Sequence, residues 1–165
     1  MNIKEILLKN KSKAIDISKI DEFSQDKILN KVALALNNGI KIVHFYIKNA
    51  TDKQNIETAQ KIRQLCSIYD SLLIINSRVD IAQVVEADGV CLSSQDVTIN
   101  QAQKIIHDDK IFCSYISSFE NALEALENKF DYVCLDSDIN PSIKAKISSL
   151  KDIKIIEVDK EILWQ

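Results

Sequence analysis

Seven short apolar runs, each followed by a segment of helical periodicity, limit what this chain can fold into more than any other feature. The runs are residues 13–18 (KAIDIS), 40–47 (IKIVHFYI), 71–76 (SLLIIN), 89–92 (GVCL), 111–116 (IFCSYI), 131–135 (DYVCL) and 153–158 (IKIIEV). Their apolar character is nearly continuous, which suits strands covered on both faces, as in a parallel sheet. Between them lie helical patterns. Residues 25–37 put Ile28, Val32, Ala35 and Leu36 on one face, and Asn38-Gly39 marks the stop. Residues 53–69 repeat Ile56, Ala59, Ile62, Cys66 and Tyr69. Shorter helices are expected over 79–86, over 99–106 after the cap Thr98, over 118–128 and over 141–150, the last opening on Pro141.

A strand–helix order repeated about seven times either closes into a barrel or spreads into an open doubly wound sheet. No GxGxxG follows the first strand, so the dinucleotide-binding version of the open sheet has no support. The expected fold is therefore α/β, a TIM-barrel-like (β/α) parallel sheet of about seven strands in sequence order with an incomplete eighth unit. Residues 88–94 (DGVCLSS) and 131–137 (DYVCLDS) agree at five of seven positions, as quasi-equivalent units around a barrel would. A missing eighth strand predicts an open seam between the first and last strands. Unpaired edges invite covering, for which the candidates are a helix at residues 3–8, the tail Ile162-Leu163-Trp164, or a second subunit in a homo-oligomer. No linker or composition shift divides residues 1–165, so one domain is expected.

Composition narrows the function classes. At 165 residues and 46% hydrophobic content the chain builds a core without disulfides. A net charge of -3 argues against the broad basic face of a nucleic-acid protein. No apolar stretch approaches the ~18 residues of a membrane span, and residues 1–11 lack a signal peptide's apolar region. A cytoplasmic protein is expected, with its four cysteines as buried free thiols. Two glycines in the whole chain leave little material for Gly-rich phosphate cradles.

In a (β/α) barrel the ligand site lies at the carboxyl ends of the strands. Just past them stand His44, Tyr46 and Lys48; Asn76, Ser77 and Arg78; Ser93, Ser94 and Asp96; Tyr115 and Ser117; and Asp136, Ser137 and Asp138. Lys48 and Arg78 are candidate holders of phosphate oxygens. Asp96, Asp136 and Asp138 are candidate ligands of Mg²⁺, a hard cation that takes oxygen donors. Such loops are also polar simply because they face water; the fold-level rule is what distinguishes the set.

Residues 39–49 (GIKIVHFYIKN), 74–82 (IINSRVDIA) and 87–97 (ADGVCLSSQDV) resemble consecutive motifs of the thiamine phosphate synthase/TenI family, and the order of elements agrees from about residue 13 to residue 158. The resemblance implies a barrel that couples a hydroxymethylpyrimidine diphosphate to a thiazole phosphate, with Mg²⁺ and cationic side chains stabilising the departing pyrophosphate. It assigns phosphate binding to Lys48, a place beside the pyrimidine and pyrophosphate to Asn76, Mg²⁺ binding to Asp96, and a loop lysine after strand six to Lys144. The family pattern also has an arginine where Arg78 stands.

The chain departs from that pattern at several points. Ser77 stands where a second Mg²⁺ aspartate is expected, His44 and Tyr46 replace a glutamine and an arginine, and Tyr115 replaces a pyrophosphate-binding serine. Pro141 and Ile143 replace threonines, Ser117 stands in place of the TenI histidine, and residues 155–159 carry no glycine. Each charge-assisted contact contributes on the order of 1.5–3 kcal/mol, so these losses predict weak or absent coupling. The alternative is a non-catalytic small-molecule-binding or regulatory protein on the same barrel.

Cys91, Cys113 and Cys134 fall on three neighbouring strands, with Cys91 and Cys134 at the same place in the repeat. The three thiols are a candidate metal or redox site, against which buried free thiols are the commoner outcome. His44 is placed to touch a ligand, His107 reads as a surface residue, and Trp164 as a packing residue.

Overall fold

The computed structural model describes Glu5, residues 12–107 and residues 109–159. Its strands are β1 (Ala14–Ile17), β2 (Ile42–Phe45), β3 (Leu72–Asn76), β4 (Gly89–Leu92), β5 (Ile111–Ile116), β6 (Tyr132–Leu135) and β7 (Val158–Asp159). Between them run α1 (Gln25–Asn37), α2 (Asp52–Ile68), α3 (Val79–Val84), α4 (Ile99–Ala102), α5 (Phe119–Glu127) and α6 (Pro141–Ser148). Side chains start most of these helices by accepting the free N–H groups of the first turn. Ser24, Thr51, Thr98, Ser118 and Asn140 each do so, and Thr51 with Gln54 and Thr98 with Gln101 form reciprocal capping boxes. The helix expected over 99–106 is regular only to Ala102.

All strand pairs are parallel, in the order β6-β5-β4-β3-β2-β1-β7. The sheet is a nearly closed barrel with helices outside. Alternate residues divide the core, as a two-residue side-chain period requires. Ala14, Ile42, Leu72, Ile74, Cys91, Cys113, Tyr132 and Cys134 pack together in the barrel interior. Ile15, Val43, Phe45, Leu73, Ile75, Val90 and Phe112 pack outward with the helices. Both faces are buried, so the strands read as continuous apolar runs.

The expected seam between the first and last strands is absent, because β7 pairs with β1 through Ala14–Val158 and Ile15–Asp159. The chain just before β7 also reaches β6: Val133 N donates to Lys154 O at 2.8 Å, and Ile156 N donates to Val133 O at 3.0 Å. One short segment thus bridges both flanks, and the β6 side, not the β1 side, is the thinner join. The covering segments expected at residues 3–8 and 162–164 lie outside the described residues.

The two sequence repeats are also structural repeats. Asp88 N donates to Leu73 O, and Leu73 N donates to an Asp88 carboxylate oxygen. Asp131 and Phe112 exchange the same two bonds. The turn before each also matches. Glu86 and Lys129 adopt positive φ of 53° and 60° after α3 and α5. The next residues, Ala87 and Phe130, donate back to Ala82 O and Ala125 O. This is the helix-ending geometry that glycine favours. Gly39, with φ of 96°, supplies it after α1, and a chain so poor in glycine uses ordinary residues elsewhere.

Candidate functional site

The polar rim forms where β1 to β5 end. Asn76 closes β3 and turns its side chain inward: Nδ2 donates to Asp16 Oδ1 at 2.9 Å, and Oδ1 lies 3.4 Å from His44 Nδ1. The Tyr115 hydroxyl donates to Asp16 Oδ2 at 2.8 Å, and His44 Nε2 lies 2.8 Å from the Tyr132 hydroxyl. The rings of Tyr115 and Tyr132 both meet His44 edge-on. His44 and Asp16 are buried. The upper barrel is therefore filled by a connected polar group, and buried polar groups need such partners. Burial first, then neighbouring negative charge including Asp16, pushes the Tyr115 phenol above its usual range. Sequence reasoning misses Asp16 and Tyr132 as members of this group. The one signal for Asp16 is a carboxylate inside an otherwise apolar strand.

One residue further on, Ser77 turns into positive φ of 65° and donates its hydroxyl to Asp96 Oδ2 at 2.9 Å. The same oxygen accepts Ser93 N at 2.8 Å and the Ser93 hydroxyl at 2.9 Å. Asp96 thus ties the end of β4 to the end of β3. Non-glycine residues at positive φ carry strain of order 1–3 kcal/mol, which this triple acceptor offsets.

Arg78 is fully engaged. Its Nε and Nη2 pair with Asp80 at 3.0 and 2.8 Å, and its Nη1 reaches Asp52 at 3.0 Å and the Tyr46 hydroxyl at 3.2 Å. The guanidinium also lies 5.6 Å from the Tyr46 ring centroid. This pairing, chiefly the Arg78 bond, holds the Asp80 carboxyl below its usual range. The guanidinium therefore joins α2, α3 and the end of β2.

Lys48 is exposed in the turn after β2. Lys144 is exposed in the first turns of α6, within the helix expected over 141–150, where the family resemblance implied a loop lysine. Asp136 and Asp138 lie in the turn after β6, the former half-buried and the latter exposed. Among the described residues, Asp96, Asp136 and Asp138 do not form a cluster close enough to share one ion. A cavity of about 270 Å³ opens beside the rim, among Ser93, Asp96, Thr98, Ser114, Asn121 and Glu124. It borders Asp96 but not Lys48, Asn76, Arg78 or Lys144. Its wall includes the outward-facing Ser114, so it lies between β4–β5 and α5, off the barrel axis. His107 is exposed, as expected.

These features define a small parallel (β/α) barrel with its polar residues gathered at the carboxyl ends of the strands. The chain belongs to the thiamine monophosphate synthase (TMP-TENI) family, whose sequence profile matches residues 16–157. It is 36% identical over 108 residues to the thiamine-phosphate synthase of Nostoc punctiforme, covering 66% of this chain and 31% of that protein. It is 35% identical over 124 residues to the thiamine-phosphate synthase of Fusobacterium nucleatum, covering 74% and 60%. The thiamine phosphate pyrophosphorylase structure from Pyrococcus furiosus superposes with a TM-score of 0.75 at 30% identity, over 92% of this chain and 76% of that one. The matched part spans about a third of the length of the first of these relatives. No helix among the described residues is long and apolar enough to cross a membrane.

Proposed function

We propose that this chain is a thiamine-phosphate-synthase-like protein that keeps a rim for a phosphorylated small molecule while its coupling activity is weak or lost. The observation that carries this reading is the state of Asp96. Three protein donors already occupy one oxygen of that carboxylate, and one of them, Ser77, stands where the family resemblance expects a second carboxylate. The residues present therefore fit Mg²⁺ poorly. A single carboxylate with one oxygen left over is a weak anchor for a cation that demands near-octahedral oxygen geometry. Asp136 and Asp138 are the nearest substitutes in kind, from a different strand end.

What this chain's own residues offer a ligand is narrower. Lys48 is an exposed cation in the turn after β2, and the family resemblance gives it the phosphate-binding role. Asn76 orients its amide by its bonds to Asp16 and His44. Arg78 and Lys144 complete the candidate phosphate-binding set, with Arg78 acting through the position of the α3 start. If the protein works in the cell as a binding or regulatory module, the same rim serves as its ligand site.

The decisive test supplies thiazole phosphate, hydroxymethylpyrimidine diphosphate and Mg²⁺, and measures thiamine phosphate. Little or no product is expected, and turnover at an ordinary enzyme's rate would refute the proposal. Calorimetry with pyrophosphate on wild type and Lys48→Ala tests the retained rim. A loss of about tenfold or more is expected, the scale of one charge-assisted contact. Equal affinities, or no binding by the wild type, would leave the family pocket as architecture only.

A further inference from the structure

Below the rim, the barrel interior holds a set of soft donors that the phosphate chemistry does not use. His44 on β2, Cys91 on β4 and Cys113 on β5 are exposed by 0%, 2% and 0%. One ligand atom from each lies within 4.8 Å of the other two. Strand register brings them together, since Cys91 and Cys113 are direct cross-strand partners and Asn76, level with Cys91, holds the imidazole from β3.

We propose that His44, Cys91 and Cys113 bind a sulfur-seeking divalent cation, zinc in the first instance, inside the barrel, with the Tyr132 hydroxyl as the fourth donor. Two thiolates, one imidazole and an oxygen are a donor set that zinc accepts in tetrahedral geometry. Tetrahedral zinc, with metal–ligand bonds of about 2.0–2.3 Å, holds its ligand atoms roughly 3.3–3.8 Å apart. Side-chain rotation of about an ångström draws the imidazole and the two thiols to such separations, while the Tyr132 hydroxyl, now 2.8 Å from Nε2, turns its proton away and moves back by a few tenths of an ångström.

The imidazole is already oriented for this role. With Nδ1–H directed to Asn76 Oδ1, Nε2 is the coordinating nitrogen, and the Tyr132 hydroxyl is 2.8 Å from it. A non-coordinating nitrogen held by an outer partner is the usual arrangement at protein metal sites.

Charge selects the ion. Binding releases two thiol protons to water and forms two metal–sulfur bonds, so a dication with two thiolates leaves the buried centre neutral. A monovalent copper ion would leave one uncompensated negative charge in the interior, which is costly. A bound dication favours the thiolate form of both cysteines.

The test uses the full chain, expressed in zinc-supplemented and separately in cobalt-supplemented medium, and purified under reducing conditions. One equivalent of metal per folded chain is expected, with thiolate-to-cobalt charge-transfer absorption in the cobalt form. Cys113→Ser and Cys91→Ser should each weaken retention against a chelator by at least tenfold. Cys66→Ser, on helix α2 outside the barrel, should leave it unchanged. If a core variant fails to fold, the wild type alone decides. Absence of stoichiometric metal, or of thiolate charge transfer, overturns the proposal. Metal retained equally by all variants overturns it as well.

Discussion

The units at residues 86–94 and 129–137 begin alike and end differently. Each opens on a left-handed residue, exchanges two hydrogen bonds between its aspartate and the preceding strand, and sends a cysteine, Cys91 or Cys134, into the barrel. Past the strand the likeness stops. Ser93 and Asp96 knit the end of β4 to Ser77 of β3. Among the described residues, Asp136 and Asp138 make no comparable side-chain bonds at the end of β6. The neighbours explain the contrast. β4 has complete strands on both sides, whereas β6 has β5 on one side and a short bridge through residues 154–156 on the other. The motif sets how a strand starts; what its end can do depends on what stands beside it.

The position after the aspartate offers the largest way to break the likeness. It is Gly89 in one unit and the buried Tyr132 in the other. A Cβ at Gly89 would overlap the backbone carbonyl of Ile111, its partner on β5. Gly89→Ala should therefore cost about 3 kcal/mol or more, or prevent folding. Urea unfolding measures this, and a change below about 1 kcal/mol would show that the strands part easily there.

Strand ends come next. Asp96→Ala leaves the Ser93 amide and two hydroxyls without their acceptor, and about 1–2 kcal/mol should be lost. Asp136→Ala should change stability by less than about 0.5 kcal/mol. Equal losses at the two positions would erase the distinction between the two strand ends.

Acid titration probes the shared strand start. Burial, the largest cause, raises the Asp88 carboxyl despite its bond from Leu73 N and the nearby Arg63. A carboxyl raised in the fold favours the folded state most when protonated, and that contribution is lost as pH rises from the unfolded value through the folded one. Asp88→Asn should therefore gain on wild type as pH rises from about 4, the ordinary carboxyl range, towards neutrality. A stability difference independent of pH would contradict a raised, half-buried carboxyl.

The smallest effect is expected at the left-handed turns. Glu86→Gly and Lys129→Gly should each stabilise the protein by about 0.5–1 kcal/mol, by relieving Cβ crowding at positive φ. Thermal melts would detect it, and a gain at only one position would separate the units even where their backbones agree.

Much of the fold is legible in the sequence alone. The continuous apolar runs mark six of the strands, the seventh run (153–158) meets β7 only at Val158, and α1 matches its predicted limits. Thr98, Ser118 and Pro141 announce helix starts because a cap and its partner lie within about three residues. The repeat at residues 88 and 131 reads as equivalence because it is one. These signals are local, with spacing that the backbone's own geometry translates into contact.

The site is legible only in part. Residue types at the strand ends are visible in sequence, but their partners are not. Arg78 is legible as a cation past the third strand, but Asp52 and Tyr46, which hold it, lie 26 and 32 positions away. Asp96 is legible as a carboxylate past the fourth strand, but its bond from Ser77 at the end of β3 is not. His44 meets Tyr132 across 88 positions, and Asp16 meets Tyr115 across 99. The pairing of β7 with β1 is of the same kind. Sequence determines which segments become strands and helices, because periodicity and capping act over a few residues. Tertiary structure alone decides which side chains share the barrel, because strand register and closure place residues by their position around the sheet rather than along the chain.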